Sequence, residues 1–150
     1  MTFNRGLFSS TRLDWATPTA LYQALDAEFR FAVDACADNG NAKCANFLRA
    51  DEGLAVDWPS PAFVNPPFGR EIPKWIAKAH EQAQRGVTVV ALVPSRTDTR
   101  WFHDFILNQA EIRFIRGRLH FDDGGGRATF PSAIVIWGHE SPREPQEATG

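Results

Sequence analysis

Val87-Thr88-Val89-Val90-Ala91-Leu92-Val93-Pro94-Ser95-Arg96 decides how this chain folds. From Val87 to Val93 the run is apolar and β-branched, with no polar alternation. That is the pattern of a strand covered on both faces, in the middle of a parallel sheet. Before it, Ile72, Trp75, Ile76, Ala79 and Ala83 fall on one face of a helix that Pro73 begins and Gly86 closes. After it, Trp101, Phe102, Phe105 and Ile106 recur at helical spacing, with Thr97 or Asp98 as the cap.

The same alternation continues outward. Thr17 reads as a helix cap with Pro18 at the first helical position, followed by Leu21, Ala24, Leu25 and Phe29. Phe31 to Ala37 reads as a short buried strand, Asp38 to Asn41 as a turn and Asn46 to Leu48 as a second short strand. Phe63-Val64 ends another strand. Glu111 to Arg116 and Ala133 to Trp137 are strands with no helix between them, so they are expected to form an antiparallel pair at one edge. The fold class predicted is α/β: a mostly parallel, doubly wound sheet. One domain is expected over residues 1–150, with 1–13 a loose arm and 139–150 a disordered tail. Asp122-Asp123-Gly124-Gly125-Gly126 is expected to be a mobile hairpin tip. Trp75, Trp101 and His103 read as structural.

In open α/β sheets ligands bind beyond the carboxyl ends of the strands. Three polar groups sit there: Asp34, Asn65 and Ser95-Arg96. Of these, Asn65-Pro66-Pro67-Phe68-Gly69 is the most specific. The prolines fix φ and give up their backbone donors, which holds an amide oxygen, a main-chain carbonyl and an aromatic face in one small space. The set suits a planar heterocycle with an exocyclic amine: oxygens accept from the amine while the ring lies on Phe68. The plainer reading is a Pro-Pro loop that merely ends a strand.

Composition excludes several classes. Apolar residues make up 43% of the chain, enough for a core, and the net charge is −2. Between Arg70 and Arg127, however, ten Lys/Arg stand against seven Asp/Glu, a local +3. Cys36 and Cys44 have no histidine nearby to complete a metal set, so two free thiols and no metal are expected. No apolar run reaches membrane-spanning length, and no signal peptide is visible. A soluble, cytoplasmic protein is expected.

With these residues in hand, the chain resembles the phage-type DNA N-6-adenine methyltransferase (Dam) family. The resemblance runs from about Asp14 to Trp137. It rests on Asp14-Trp15-x-Thr17-Pro18, Val33-Asp34-Ala35-Cys36-Ala37, Asn41-Ala42-Lys43-Cys44, Gly53-Leu54-x-x-Asp57-Trp58 and Asn65 to Gly69. It continues through Pro94 to His103, Arg113 to Leu119 and Phe130 to Ala133. The resemblance implies a Rossmann-like sheet, S-adenosylmethionine as methyl donor and a flipped adenine of double-stranded DNA as acceptor.

Under that reading Asn65, Pro66, Pro67 and Phe68 are catalytic. Trp15, Thr17, Pro18, Asp34, Cys36, Asp57 and Asn65 would bind the donor, with Asp34 near its amino group and Asp57 near its adenosine. Arg70, Arg96, Arg100, Arg118 and Arg127 are the DNA-binding candidates, and a pair of chains is expected on a short symmetric site. Two departures stand out. The glycine-rich loop usual after the first strand is replaced by Ala35-Cys36-Ala37-Asp38-Asn39-Gly40, and Phe68 stands where many relatives have tyrosine. The motif alone also serves RNA guanine and protein glutamine, and a catalytically silent DNA-binding relative would keep the fold.

Overall fold

A computed structural model describes residues 16–38, 40–120, 130–138 and 146–148. Its centre is β3 (Val89–Pro94), every residue of which is buried. On one side β3 runs parallel to β2 (Ala62–Val64), and β2 runs parallel to β1 (Val33–Asp34). On its other side lies β5 (Ser132–Trp137), antiparallel from Val89 opposite Trp137 to Pro94 opposite Ser132. Next comes β4 (Glu111–Ile115), antiparallel to β5, and then β6 (Gln146–Ala148), parallel to β4.

The order β1-β2-β3-β5-β4-β6 puts the expected antiparallel pair, β5 and β4, at one side of the sheet, with β6 added beyond it. Within the pair, β5 takes the inner place beside β3. The reason is coverage. β5 is buried along its whole length, whereas β4 carries the half-buried Arg113 and the exposed Phe114. The fully buried strand takes the interior place. β6 falls in the stretch expected to be disordered, where its backbone extends the sheet beyond β4. Because β5 alone is reversed among the first five strands, β1 to β4 all end on one side of the molecule.

Pairing register sorts the side chains onto two faces. Phe63, Val90, Ile136 and Glu111 align on one, with Arg113 further along it. There α1 (Thr19–Phe29) docks: Tyr22 meets Phe63 edge-on at 5.2 Å, and Arg113 grips both carboxylate oxygens of Glu28 at 2.7 Å. Arg113 also lies 5.8 Å from the Phe29 ring and bonds Glu111, ion pairs that push its pKa upward. On the opposite face the Trp137 indole donates to the Phe105 carbonyl at the end of α4 (Arg100–Phe105). Beside α4 packs α3 (Ile72–Gln84). The sheet therefore has helices on both faces.

Local chemistry explains the boundaries. Arg30 adopts the left-handed conformation and ends α1, while Asp26 Oδ1 captures the Phe31 N–H at 2.8 Å and turns the chain into β1. Thr17 does not cap α1 as expected: Pro18 is the cap residue, and the Thr17 hydroxyl is engaged elsewhere. Nor do Thr97 or Asp98 cap α4. Thr99 does, accepting from Phe102 N at 3.3 Å, while the Thr97 carbonyl is hydrogen-bonded to the His103 ring at 2.7 Å. The strand expected over Phe31 to Ala37 shortens to two residues, because the backbone N–H of Cys36 folds back onto Asp34. Asn46 to Leu48 pairs with β1 through a single bridge, Asp34 to Phe47.

Candidate active site

The polar group at the end of β1 is a nearly buried carboxylate. Asp34 is 3% exposed, and its two oxygens accept from the backbone N–H groups of Cys36 at 3.3 Å and Lys43 at 3.4 Å. Burial pushes its pKa up to about 6, against the pull of those donors and of the Lys43 charge. The chain around it is laced to β1: Asp34 N donates to Asn46 O, Leu48 N to Asp34 O and Ala37 N to Leu48 O.

At the end of β2 the Asn65 amide nitrogen donates to Thr17 Oγ1 at 3.0 Å. Thr17 is 4% exposed, so this bond ties the segment before α1 to the strand end and sets which way the amide faces. Pro66 and Pro67 follow, and Gly69 turns the chain with φ 96°, a left-handed conformation that favours glycine. Its carbonyl then accepts from Ile72 N to start α3.

A cavity of about 310 Å³ joins the two strand ends. Asp34, Thr17, Cys36, Asn65 and Pro67 line it, as do Asp38, Asn41 and Arg49 toward the exposed side. The last three were not singled out as site residues. Asp38 and Asn41 lie in a turn legible only as a turn, and Arg49 follows the Asn46–Leu48 segment that pairs with β1. Burial, then the charges of Asp34 and Asp38, pushes the Cys36 thiol up to about 12, so it is an uncharged part of the lining.

Other expected site residues lie elsewhere. Pro18 caps α1, its carbonyl accepting from Tyr22 N. Asp57 lies outside the cavity lining. It accepts from the Gln82 amide at 3.0 Å and faces Arg85 at 3.9 Å, contacts that hold its carboxyl below the usual range. Gln82 is fully buried on α3 and also accepts from Trp58 N at 2.7 Å, so Asp57 belongs to a brace between α3 and the loop before β2. Phe68 is 6% exposed, with Phe130 set edge-on against it at 5.2 Å. The open stacking face read from sequence is therefore covered.

Arg70, Arg96, Arg100 and Arg118 are all exposed, and none makes an ion pair with a described residue. They follow β2, β3 and β4, on the side of the sheet where β1 and β2 also end. Trp15 and Arg127 lie outside the described residues, as do residues 1–13 and the triple glycine. Among the described residues no group of His, Cys, Asp or Glu could hold a metal ion, and no helix is long and apolar enough to cross a membrane.

A mixed α/β sheet whose β1 and β2 ends enclose a polar cavity beside an Asn-Pro-Pro-Phe turn defines a ligand-binding α/β protein. The chain belongs to the DNA N-6-adenine-methyltransferase (Dam) family, whose model matches residues 6–139. It is 30% identical over 105 residues to the DNA N-6-adenine-methyltransferase of Haemophilus phage HP1, covering 67% of this chain and 61% of that protein. It is 28% identical over 115 residues to the enzyme of the same name from Escherichia phage T1, covering 74% and 48%. The matched part thus spans about half to three-fifths of these relatives.

Proposed function

We propose that this chain transfers a methyl group from S-adenosylmethionine to the N6 amine of an adenine in double-stranded DNA, on a Rossmann-like sheet. The observation that carries the reading is that Asn65 and Pro67 line the same cavity as Asp34. The turn suited to an exocyclic amine therefore borders the space suited to a cationic small molecule. The donor fits that space by charge: a buried carboxylate matches its ammonium, and polar groups continue to the rim.

Bound there, S-adenosylmethionine supplies an electrophilic methyl on a sulfonium. The protein's part is orientation and electrostatics. Adenine N6 is a weak nucleophile because its lone pair is delocalised into the ring. Asn65 Oδ1 and the Pro66 carbonyl accept its two N–H bonds, favour a pyramidal nitrogen and stabilise the positive charge that develops on it. The new N–C bond forms as the C–S bond breaks, and the nitrogen then releases one proton to solvent, so no strong base is needed. Thr17 holds Asn65 in place for this role, which is a form of preorganisation.

The amine is inaccessible inside a duplex, so the base is flipped out. To stack on Phe68 it must take over the contact that Phe130 now makes. The four exposed arginines that follow β2, β3 and β4 would hold phosphates.

The test is transfer of a labelled methyl group to duplexes with and without adenine, to RNA and to protein, with the labelled products identified by mass spectrometry. N6-methyladenine from the adenine duplex alone is expected. Label appearing only in RNA guanine or protein glutamine, or in no acceptor, would sink the reading.

A further inference from the structure

The cavity carries one positive charge that the proposed chemistry has not used. Asp34 and Asp38 are its acids, and Arg49 is the only cation among its described lining residues. Arg49 is fixed at the backbone from both sides. Its N–H donates to Glu52 Oε1 at 2.9 Å, and its carbonyl accepts from Gly53 N at 2.8 Å. Leu48, just before it, is hydrogen-bonded to Asp34 and Ala37 of the β1 segment. Arg49 lines the same cavity as Asp34 and Asp38, from its exposed side, and its guanidinium forms no ion pair with either acid. The other cation nearby, Lys43, is engaged: its ammonium bonds Thr19 Oγ1 at 3.2 Å.

Resting on the methyl-donor reading above, we propose that Arg49 binds the carboxylate of the donor's amino-acid tail while Asp34 takes its ammonium. The tail is a zwitterion, and a site that holds both ends needs one anion and one planar cation a few ångströms apart. A guanidinium presents paired N–H donors that match a carboxylate, and it stays charged at any working pH. The buried end of the pocket supplies the anion and the exposed end the cation, which sets the tail pointing outward. The pocket should then discriminate by carboxylate: a donor lacking that group loses the Arg49 contact and nothing else.

Calorimetric titration of the full chain and of Arg49→Ala with S-adenosylmethionine and with its decarboxylated analogue tests this. Arg49→Ala should bind S-adenosylmethionine about tenfold more weakly, a modest loss because the site is exposed, and bind the decarboxylated analogue as wild type does. Arg49→Lys should recover part of the loss. Equal losses on both ligands, or no loss on the intact donor, would overturn the assignment; so would a variant that loses DNA affinity alone, since that marks a phosphate contact. If wild-type protein binds neither ligand, the methyl-donor reading itself fails and this assignment falls with it. Thermal melting checks that Arg49→Ala is folded.

Discussion

The ends of β1 and β2 and the ends of β3 and β4 face the same way, yet they are built differently. On the first side the polar groups are buried and held. Asp34 takes two backbone N–H groups, and Thr17 takes the Asn65 amide. On the second side Arg96, Arg100 and Arg118 stand exposed and make no ion pair with a described residue. A small ligand rewards fixed geometry, because ordering loose side chains on binding costs free energy. A phosphate backbone offers repeated charges along its length and rewards positive charge more than fixed position. The contrast predicts that substitutions on the first side change rate or donor affinity steeply, and that those on the second change salt-dependent affinity in small steps.

Asn65→Ala is the largest expected break. Removing one preorganised acceptor of the reacting amine should lower the single-turnover methyl-transfer rate by about 10²–10³. Donor affinity and folding should stay near wild type, because the Thr17 bond lost with it is worth only about 1 kcal/mol. A rapid-quench assay beside a donor titration checks both halves. Near-normal turnover would show that the first side is merely structural.

Asp34→Asn should weaken donor binding by about 1.5–3 kcal/mol, through the loss of a charge-assisted hydrogen bond. It should also stabilise the fold at neutral pH. The folded pKa is about 6 against an ordinary 3.8, so protonation favours the folded state. That stabilisation is fully present below about 3.8 and lost as pH rises through about 6. At pH 7 the ionised, buried carboxylate burdens the fold by up to about 3 kcal/mol; the amide removes that charge but accepts from only one of the two backbone N–H groups, so the net gain is smaller. Wild-type donor affinity should fall as pH drops through about 6, and the variant's should not. Melts and titrations across pH 5–8 give both readings; a variant destabilised at pH 7 would mean that Asp34 is mainly a backbone cap.

Much of this was legible beforehand because it rests on local rules. The unbroken Val87–Val93 run placed the central strand, and the polar residues after three apolar segments placed Asp34, Asn65 and Arg96 at one end of the sheet. What escaped required long-range partners. Thr17 looks like a cap by position, but its hydroxyl meets Asn65, 48 residues away. Asp57 looks like a ligand-binding acid beside Trp58, but it meets Gln82 on α3. Phe68 reads as an open stacking face until Phe130, far along the chain, covers it. The place of β5 was readable in part: Ala133-Ile134-Val135-Ile136-Trp137 has no polar alternation, while Glu111-Ile112-Arg113 does. That difference marks the first as interior and the second as nearer an edge.

Gly53→Ala probes the rigidity of the first side from beneath. A Cβ there would collide with the Ala35 carbonyl oxygen and come within 2.7 Å of the Trp75 ring. Ala35 follows Asp34 directly, and Trp75 stacks on Trp58, so neither neighbour yields freely. Overpacking of this kind costs about 1–3 kcal/mol. Melting temperature and donor affinity should fall together while DNA affinity of the folded protein holds. An unchanged melt would show that the β1 end adjusts more easily than its hydrogen bonds indicate.

The smallest steps are expected from the arginines. Each of Arg70→Ala, Arg96→Ala, Arg100→Ala and Arg118→Ala should leave donor binding and melting temperature at wild-type values, since these side chains are exposed and unpaired with any described residue. Each residue that holds a phosphate releases about one counterion on binding. Its removal should therefore reduce the slope of log affinity against log salt by about 0.9. The four follow β2, β3 and β4 at one end of the sheet, so a duplex lying across that end would engage several at once. Slopes that fall additively across double and triple variants would mark one continuous phosphate-binding face. If every single variant keeps both the wild-type slope and the wild-type affinity, the DNA approaches from elsewhere, and the contrast between the two sides would describe packing rather than function.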